Sequence, residues 1–189
     1  IAVINKPMGF LNVEGFFENS IMNNNTNRGE VISLGFNEFI KNLEQLNSTI
    51  QAKALATLVA SYHIEESNLS SWIKFESDAY ARNRVTLFDH IEVLVMCWKS
   101  GQMSPIHNHR GSACVIKVIK GISSEITYQQ AQNGLLVPTA TTSSGQDSIL
   151  YSSDEDIHQM GNLQKEGEDL ITLHCYSPPL NNIDIFSEQ

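Results

Sequence analysis

The chain has 189 residues, 41% hydrophobic and 17% charged, with 12 basic against 21 acidic side chains and a net charge of −9. That is enough chain for one packed domain and too apolar for a disordered one. The acidic balance argues against a nucleic-acid partner or an anionic membrane surface. No apolar run approaches the roughly 20 residues of a membrane span, and no signal peptide opens the sequence as given. Three cysteines, Cys97, Cys114 and Cys175, do not make a disulfide framework, so a reducing cytoplasmic setting is expected. A monomer is expected as well.

Residues 1–34 lack a period and contain Asn23-Asn24-Asn25-Thr26-Asn27, a polar tract that reads as a loop. Residues 36–62 read as two short helices. Phe39, Ile40, Leu43 and Leu46 recur at spacings of three and four, as do Leu55, Leu58, Val59 and Tyr62. Asn47-Ser48 is placed to stop the first helix and cap the second.

From Tyr80 the pattern becomes strand-like. Arg82–Phe88 and Ile91–Trp98 flank the turn pair Asp89-His90. Ala113–Ile119 runs to Gly121, Ile122–Tyr128 follows, and Asn133-Gly134 marks a turn. Ser143-Ser144-Gly145-Gln146-Asp147 reads as a longer loop. Ser148–Ser152 and Asp169–Tyr176 complete the series before Pro178-Pro179 ends the ladder. The expected fold is mainly β: one domain over 1–189, with loop and helices in 1–79 and a jelly-roll-like β-barrel in 80–180.

The chemistry concentrates after Gly101. His107 and His109 stand at i and i+2 in an extended segment, so their side chains share a face and could share one divalent metal. Alone, His-x-His is a weak signal, since exposed polar residues on a strand give it too. Period-2 alternation also places Tyr80, Arg82 and Arg84 on one face, without choosing between the arginines. Thr172, His174 and Tyr176 form a polar row opposite the apolar row of Ile171, Leu173 and Cys175. An inward polar row is costly unless hydrogen-bonded, which favours a site there.

The spacing Gly101-x5-His107-x-His109-x4-Cys114-x6-Gly121 resembles the first motif of the cupin superfamily, with Cys114 where glutamate is usual. His158-Gln159-Met160-Gly161-Asn162 matches the H-x3-N tail of the second motif, while Ser153 and Glu155 stand where that motif has Pro and Gly. Together with Tyr80-Ala81-Arg82-Asn83, Cys97-Trp98 and Leu173-His174-Cys175-Tyr176-Ser177-Pro178-Pro179, the chain from about Tyr80 to Pro179 resembles the cysteine dioxygenase family.

That resemblance implies an enzyme that uses Fe(II) and O2 to oxidise the thiol of free L-cysteine to the sulfinic acid. It implies His107, His109 and His158 as metal ligands, Arg82 with Tyr80 as the substrate-binding pair, and Tyr176, His174 and Thr172 beside the metal. Serine is usual at the Thr172 position. Cys114 matches the cysteine that forms a thioether with the active-site tyrosine in animal-type enzymes. Asn108 replaces the usual aspartate between the histidines. Two other readings stand beside this one. A dioxygenase of 3-mercaptopropionate typically carries glutamine at the arginine position, so Arg82 favours cysteine. A non-catalytic metal-binding cupin needs neither Arg82 nor Tyr176.

Overall fold

The computed structural model describes residues 9–11, 35–152 and 156–187. The asparagine tract at 23–27 and the Ser153 and Glu155 positions lie outside them. The elements in chain order are β1 (Gly9–Leu11), α1 (Phe36–Glu44), α2 (Ala52–Ala60), a 3-10 helix (Glu66–Trp72), β2 (Ala81–Phe88), β3 (Ile91–Trp98), β4 (Ile106–His107) and β5 (Ala113–Lys120). They continue as β6 (Ser123–Gln130), β7 (Leu136–Ser144), β8 (Ile149–Ser152), β9 (Ile157–Gly161), β10 (Leu170–Ser177) and β11 (Ile185–Phe186).

The strands form two antiparallel sheets. Six run in the order β1-β8-β5-β10-β3-β2 and five in the order β11-β4-β9-β6-β7. Strands β3 and β10 lie in the interior of the larger sheet, and all eight residues of each are buried. A strand covered on both faces is mostly apolar, which is how Ile91–Trp98 reads apart from Glu92. On the outer face, Val93, Val95, Ile171, Leu173 and Cys175 pack against the helical layer through Phe39, Leu43, Leu55, Val59 and Leu69. On the inner face, Leu94, Met96, Trp98, Cys114, Ile116 and Tyr176 form a second cluster beneath the five-stranded sheet.

Both helices form where expected, but their ends differ. Helix α1 stops at Glu44 with Gln45 as its C-cap, and α2 is entered through Gln51 with no side-chain cap. Asn47-Ser48 therefore caps nothing. The reason is tertiary: the Ile50 backbone N–H donates to Ser177 Oγ at 3.0 Å, holding the connection against β10 until residue 51. The 3-10 helix was not legible from periodicity; it is closed by a reciprocal Glu65–Asn68 capping box.

Three further differences concern strands. Strand β7 runs through Ser143-Ser144, so the loop begins only at Gly145. It is an edge strand paired with β6 alone and mostly exposed, so it carries no apolar alternation. The N-terminal third also supplies a strand, since Gly9–Leu11 pairs with β8 in register Gly9↔Tyr151. Strand β11 lies beyond the expected end of the barrel and pairs with β4. Among the described residues, no helix is long and apolar enough to cross a membrane.

Candidate metal centre

The site forms between the inner faces of the two sheets. On the five-stranded side, β4 and β9 pair so that His107 lies directly opposite His158. His109 is not on a strand, contrary to simple alternation: β4 ends at His107, and the turn beyond it carries Arg110 and Gly111 at positive φ (44° and 95°). The turn nevertheless brings the ring back, and the ring centroids of His107, His109 and His158 lie 4.7–5.2 Å apart. Gly161 makes this possible, because a Cβ there would lie 2.2 Å from the Gln102 carbonyl oxygen where β9 passes the segment leading to β4.

Each histidine has one nitrogen engaged outward. His107 Nδ1 donates to the Pro105 carbonyl at 2.9 Å, His109 Nδ1 meets Ser152 Oγ at 3.3 Å, and His158 Nδ1 donates to Glu125 Oε1 at 2.6 Å. The ligand-type atoms of the three lie within 4.8 Å of one another. His109 Nε2 and His158 Nε2 are 3.3 Å apart. Two nitrogens each about 2.1 Å from one ion lie roughly 3.0–3.4 Å apart at right-angle to tetrahedral geometry, so the pair fits a shared ion. Burial, then the neighbouring His158, lowers His107 to about 4. The same causes, with His107 next, hold His109 well below the usual histidine range. Both rings are thus neutral near pH 7, the form in which imidazole binds a metal.

The six-stranded sheet faces this triad with a chain of hydrogen bonds. Trp98 Nε1 donates to Thr172 Oγ1 at 3.0 Å, Thr172 Oγ1 and His174 Nε2 are 2.9 Å apart, and His174 Nδ1 and Tyr176 Oη are 3.1 Å apart. The indole can only donate, so Thr172 accepts there and keeps its own proton for His174 Nε2. His174 is neutral, held well below its usual range by burial and then by Arg82. Its ring proton then sits on Nδ1 and points at the Tyr176 oxygen, which leaves the phenol proton to the sulfur of Cys114. Burial pushes Tyr176 well up, so it remains a phenol. Its ring lies 5.6 Å from that of His109.

Cys114 lies directly opposite Tyr176 in the β5–β10 register, and the phenol O–H donates to its sulfur. Burial pushes that thiol far up as well. Cys175 belongs to the opposite face of the sheet, among the residues that pack on the helices.

The choice between the arginines is made by geometry. Arg84 donates through Nε to Glu92 Oε1 at 2.9 Å beside a register shift in β2. Arg82 instead lines both the metal chamber and a vestibule of about 200 Å³ that opens to solvent. Burial opposes its charge, but Tyr176, then Tyr80, offset this and raise its pKa. Tyr80 stacks on Trp98 at 4.2 Å between ring centroids. The chamber itself has about 10 Å³ free, room for about one water molecule. Met96, Ile116 and Met160 supply its apolar wall. Arg110, omitted from the expected site, points away to Asp184 at 3.2 Å.

Asn162, the end of the H-x3-N tail, is a brace. Its Nδ2 donates to the carbonyls of Trp98 and Glu168 at 3.0 and 2.7 Å. Asn108 likewise pairs with Asp184, tying β4 to the C-terminal segment that walls the vestibule. Sequence reasoning missed Glu125, Ser152 and the Trp98–Thr172 contact. Glu125 sits two residues before Thr127, which pairs with His158 across β6–β9, so the two share a face once that register is known.

Two facing antiparallel sheets with three histidines converging between them define a metal-binding protein of cupin architecture. A double-stranded β-helix protein from Klebsiella pneumoniae has the same fold, with a TM-score of 0.50 at 18% identity over 64% of this chain and 95% of that one. The family model for cysteine dioxygenase type I matches residues 31–189, and the chain belongs to that family. It is 26% identical over 160 residues to cysteine dioxygenase type 1 of Danio rerio, covering 80% of this chain and 79% of that protein. It is 23% identical over 158 residues to the Homo sapiens protein of the same name, covering 80% and 78%.

Proposed function

We propose that this thiol dioxygenase acts on free L-cysteine, with Fe(II) held by His107, His109 and His158, and gives cysteine sulfinic acid. The balance is one thiol plus one O2 to one sulfinic acid, with both oxygen atoms retained in the product. Iron, when bound, supplies the positions and the electrons that three imidazoles cannot. The neutral donor set suits it, although the same ligands suit zinc, copper and nickel.

The observation that carries the substrate reading is Arg82, a cation set between the vestibule and the metal chamber. A guanidinium grips a carboxylate through two parallel hydrogen bonds and stays charged at working pH. A small thiol acid held there by its carboxylate can reach the chamber with its sulfur. Tyr80, stacked on Trp98, walls the same passage and offers a hydroxyl to the carboxylate. The Trp98–Thr172–His174 chain orients Tyr176, whose phenol could turn its proton from the Cys114 sulfur toward a bound substrate. Cys114, beside that phenol, is the candidate for a thioether with it.

The test is O2 uptake and sulfinate formation by the iron-loaded chain with L-cysteine, 3-mercaptopropionate and cysteamine. Cysteine should be preferred over both. Equal rates with cysteamine, which has no carboxylate, would remove Arg82 from the argument. No uptake with any of the three would end the enzyme reading.

A further inference from the structure

We infer that Glu125 is a positioning residue that sets the charge of the metal centre from behind His158. The inference rests on reading the three histidines as metal ligands. It adds a residue that touches neither metal nor substrate.

The first argument is the grading of the three outward hydrogen bonds. His107 has a neutral carbonyl behind it and His109 a neutral hydroxyl. Only His158 faces a carboxylate, and at 2.6 Å that contact is the shortest of the three. Hydrogen bonds to ionised acceptors are shorter and stronger than neutral ones, and a carboxylate behind an imidazole makes the far nitrogen a better donor. His158 thereby has the strongest outward hydrogen bond of the three.

The second argument is burial. Glu125 is 4% exposed and His158 1%. Among the described residues, the ion pair of Glu125 is with His158, and no lysine or arginine joins it. A buried carboxylate is costly unless a cation completes its group. A divalent ion on the far side of His158 is that cation. The arrangement is therefore suited to the metal-bound state.

The third argument concerns where the charge is put. The cupin glutamate that would coordinate directly is Cys114 in this chain, so the ligand set is neutral. Glu125 returns one negative charge from β6 through the ring of His158, lowering the net charge of a divalent site from +2 to +1. It does so without occupying a coordination position, leaving those positions for a thiol, its amine and O2.

The experiment uses the full chain, stripped of metal and reloaded, as wild type, Glu125→Gln and Ser152→Ala. Gln keeps the shape and an acceptor oxygen but removes the charge; Ser152→Ala removes the neutral acceptor behind His109. Zn(II) and Fe(II) affinities are read by chelator competition, and the Fe(III)/Fe(II) potential by redox titration. Glu125→Gln should weaken both affinities by roughly 10- to 100-fold and raise the potential, because the carboxylate's negative charge stabilises Fe(III) more than Fe(II) and its removal disfavours Fe(III). Ser152→Ala should leave the potential unchanged. In Zn(II)-loaded wild type, the His158 Nδ1 proton should resonate downfield of those of His107 and His109, a readout independent of whether any variant folds. Affinities within about twofold of wild type with an unmoved potential, or a His158 proton no further downfield than the others, would overturn the inference. Wild type that binds metal but oxidises no thiol would sink the substrate reading and leave this one to the affinity data. Wild type that binds neither metal would sink both.

Discussion

Three buried histidines make the metal-free protein sensitive to mild acid. His107, His109 and His174 are 9%, 1% and 2% exposed, and burial lowers all three below the ordinary histidine value of 6.5. A lowered folded-state pKa means that the unfolded chain binds the proton more tightly. The stabilising contribution is thus complete above pH 6.5, falls as the pH drops, and for His107 levels off near its folded value of about 4. For a single group of that kind, the loss between pH 7 and pH 5 is about 2 kcal/mol. His109 and His174 are lowered in the same direction by burial, so they add to the loss in the same sense.

The assay is urea unfolding by circular dichroism in excess chelator at pH 7, 6 and 5. His107→Gln should retain about 2 kcal/mol more of its pH 7 stability at pH 5 than wild type does. Saturating Zn(II) should restore stability at pH 7 and do so progressively less toward pH 5, since protons and metal compete for the same nitrogens. A wild-type loss below about 1 kcal/mol between pH 7 and 5 would refute the picture of neutral, desolvated rings.

Replacing any one of His107, His109 and His158 by Ala should abolish iron retention, measured as metal per chain, with the β-sheet circular dichroism preserved. Arg82→Gln should raise the KM for cysteine roughly tenfold to over a hundredfold, the worth of a charge-assisted hydrogen bond, and change turnover of cysteamine far less. After turnover with iron and thiol, part of the protein should lose two hydrogens in mass, as the Cys114 sulfur bonds to the Tyr176 ring with O2 as oxidant. Peptide mapping should join those two residues, and Cys114→Ser should not show the loss.

How much of this was legible in the sequence varied with what each residue faces. Strands β3 and β10 are covered on both sides, so their apolar content announced them, and the alternation within β10 matches its two faces, with Ile171, Leu173 and Cys175 against the helices and His174 and Tyr176 lining the chamber. Strand β7 was invisible as a strand because an exposed edge selects for no apolar period. Strand β9 was read only as a histidine motif, since its five residues include the inward polar His158. Alternation could not choose Arg82 over Arg84; a bulge and the Glu92 ion pair decide that in space. Glu125 gave no signal at all among 21 acidic residues. Its meaning depends on the β6–β9 register, a relation between strands roughly 30 residues apart that no local pattern encodes.

The division of labour between the sheets has a physical consequence. His107, His158 and Glu125 stand on the five-stranded sheet, while Arg82, Trp98, Cys114, Thr172, His174 and Tyr176 stand on the six-stranded one. On the proposed reading, the metal side and the substrate side are therefore built on separate ladders and meet only when the two inner faces pack. His109 links them, sitting on the turn after β4 with its ring against Ser152 of β8. The helical layer packs on the outer face of the larger sheet through Phe39, Leu43, Leu55 and Leu69. Damage there acts on the site through the placement of β3 and β10, the strands that carry Trp98 and Tyr176, and leaves the β4–β9 pairing of His107 with His158 intact. A core mutation beneath the helices should therefore impair substrate handling before it impairs metal binding, because the two functions rest on different sheets.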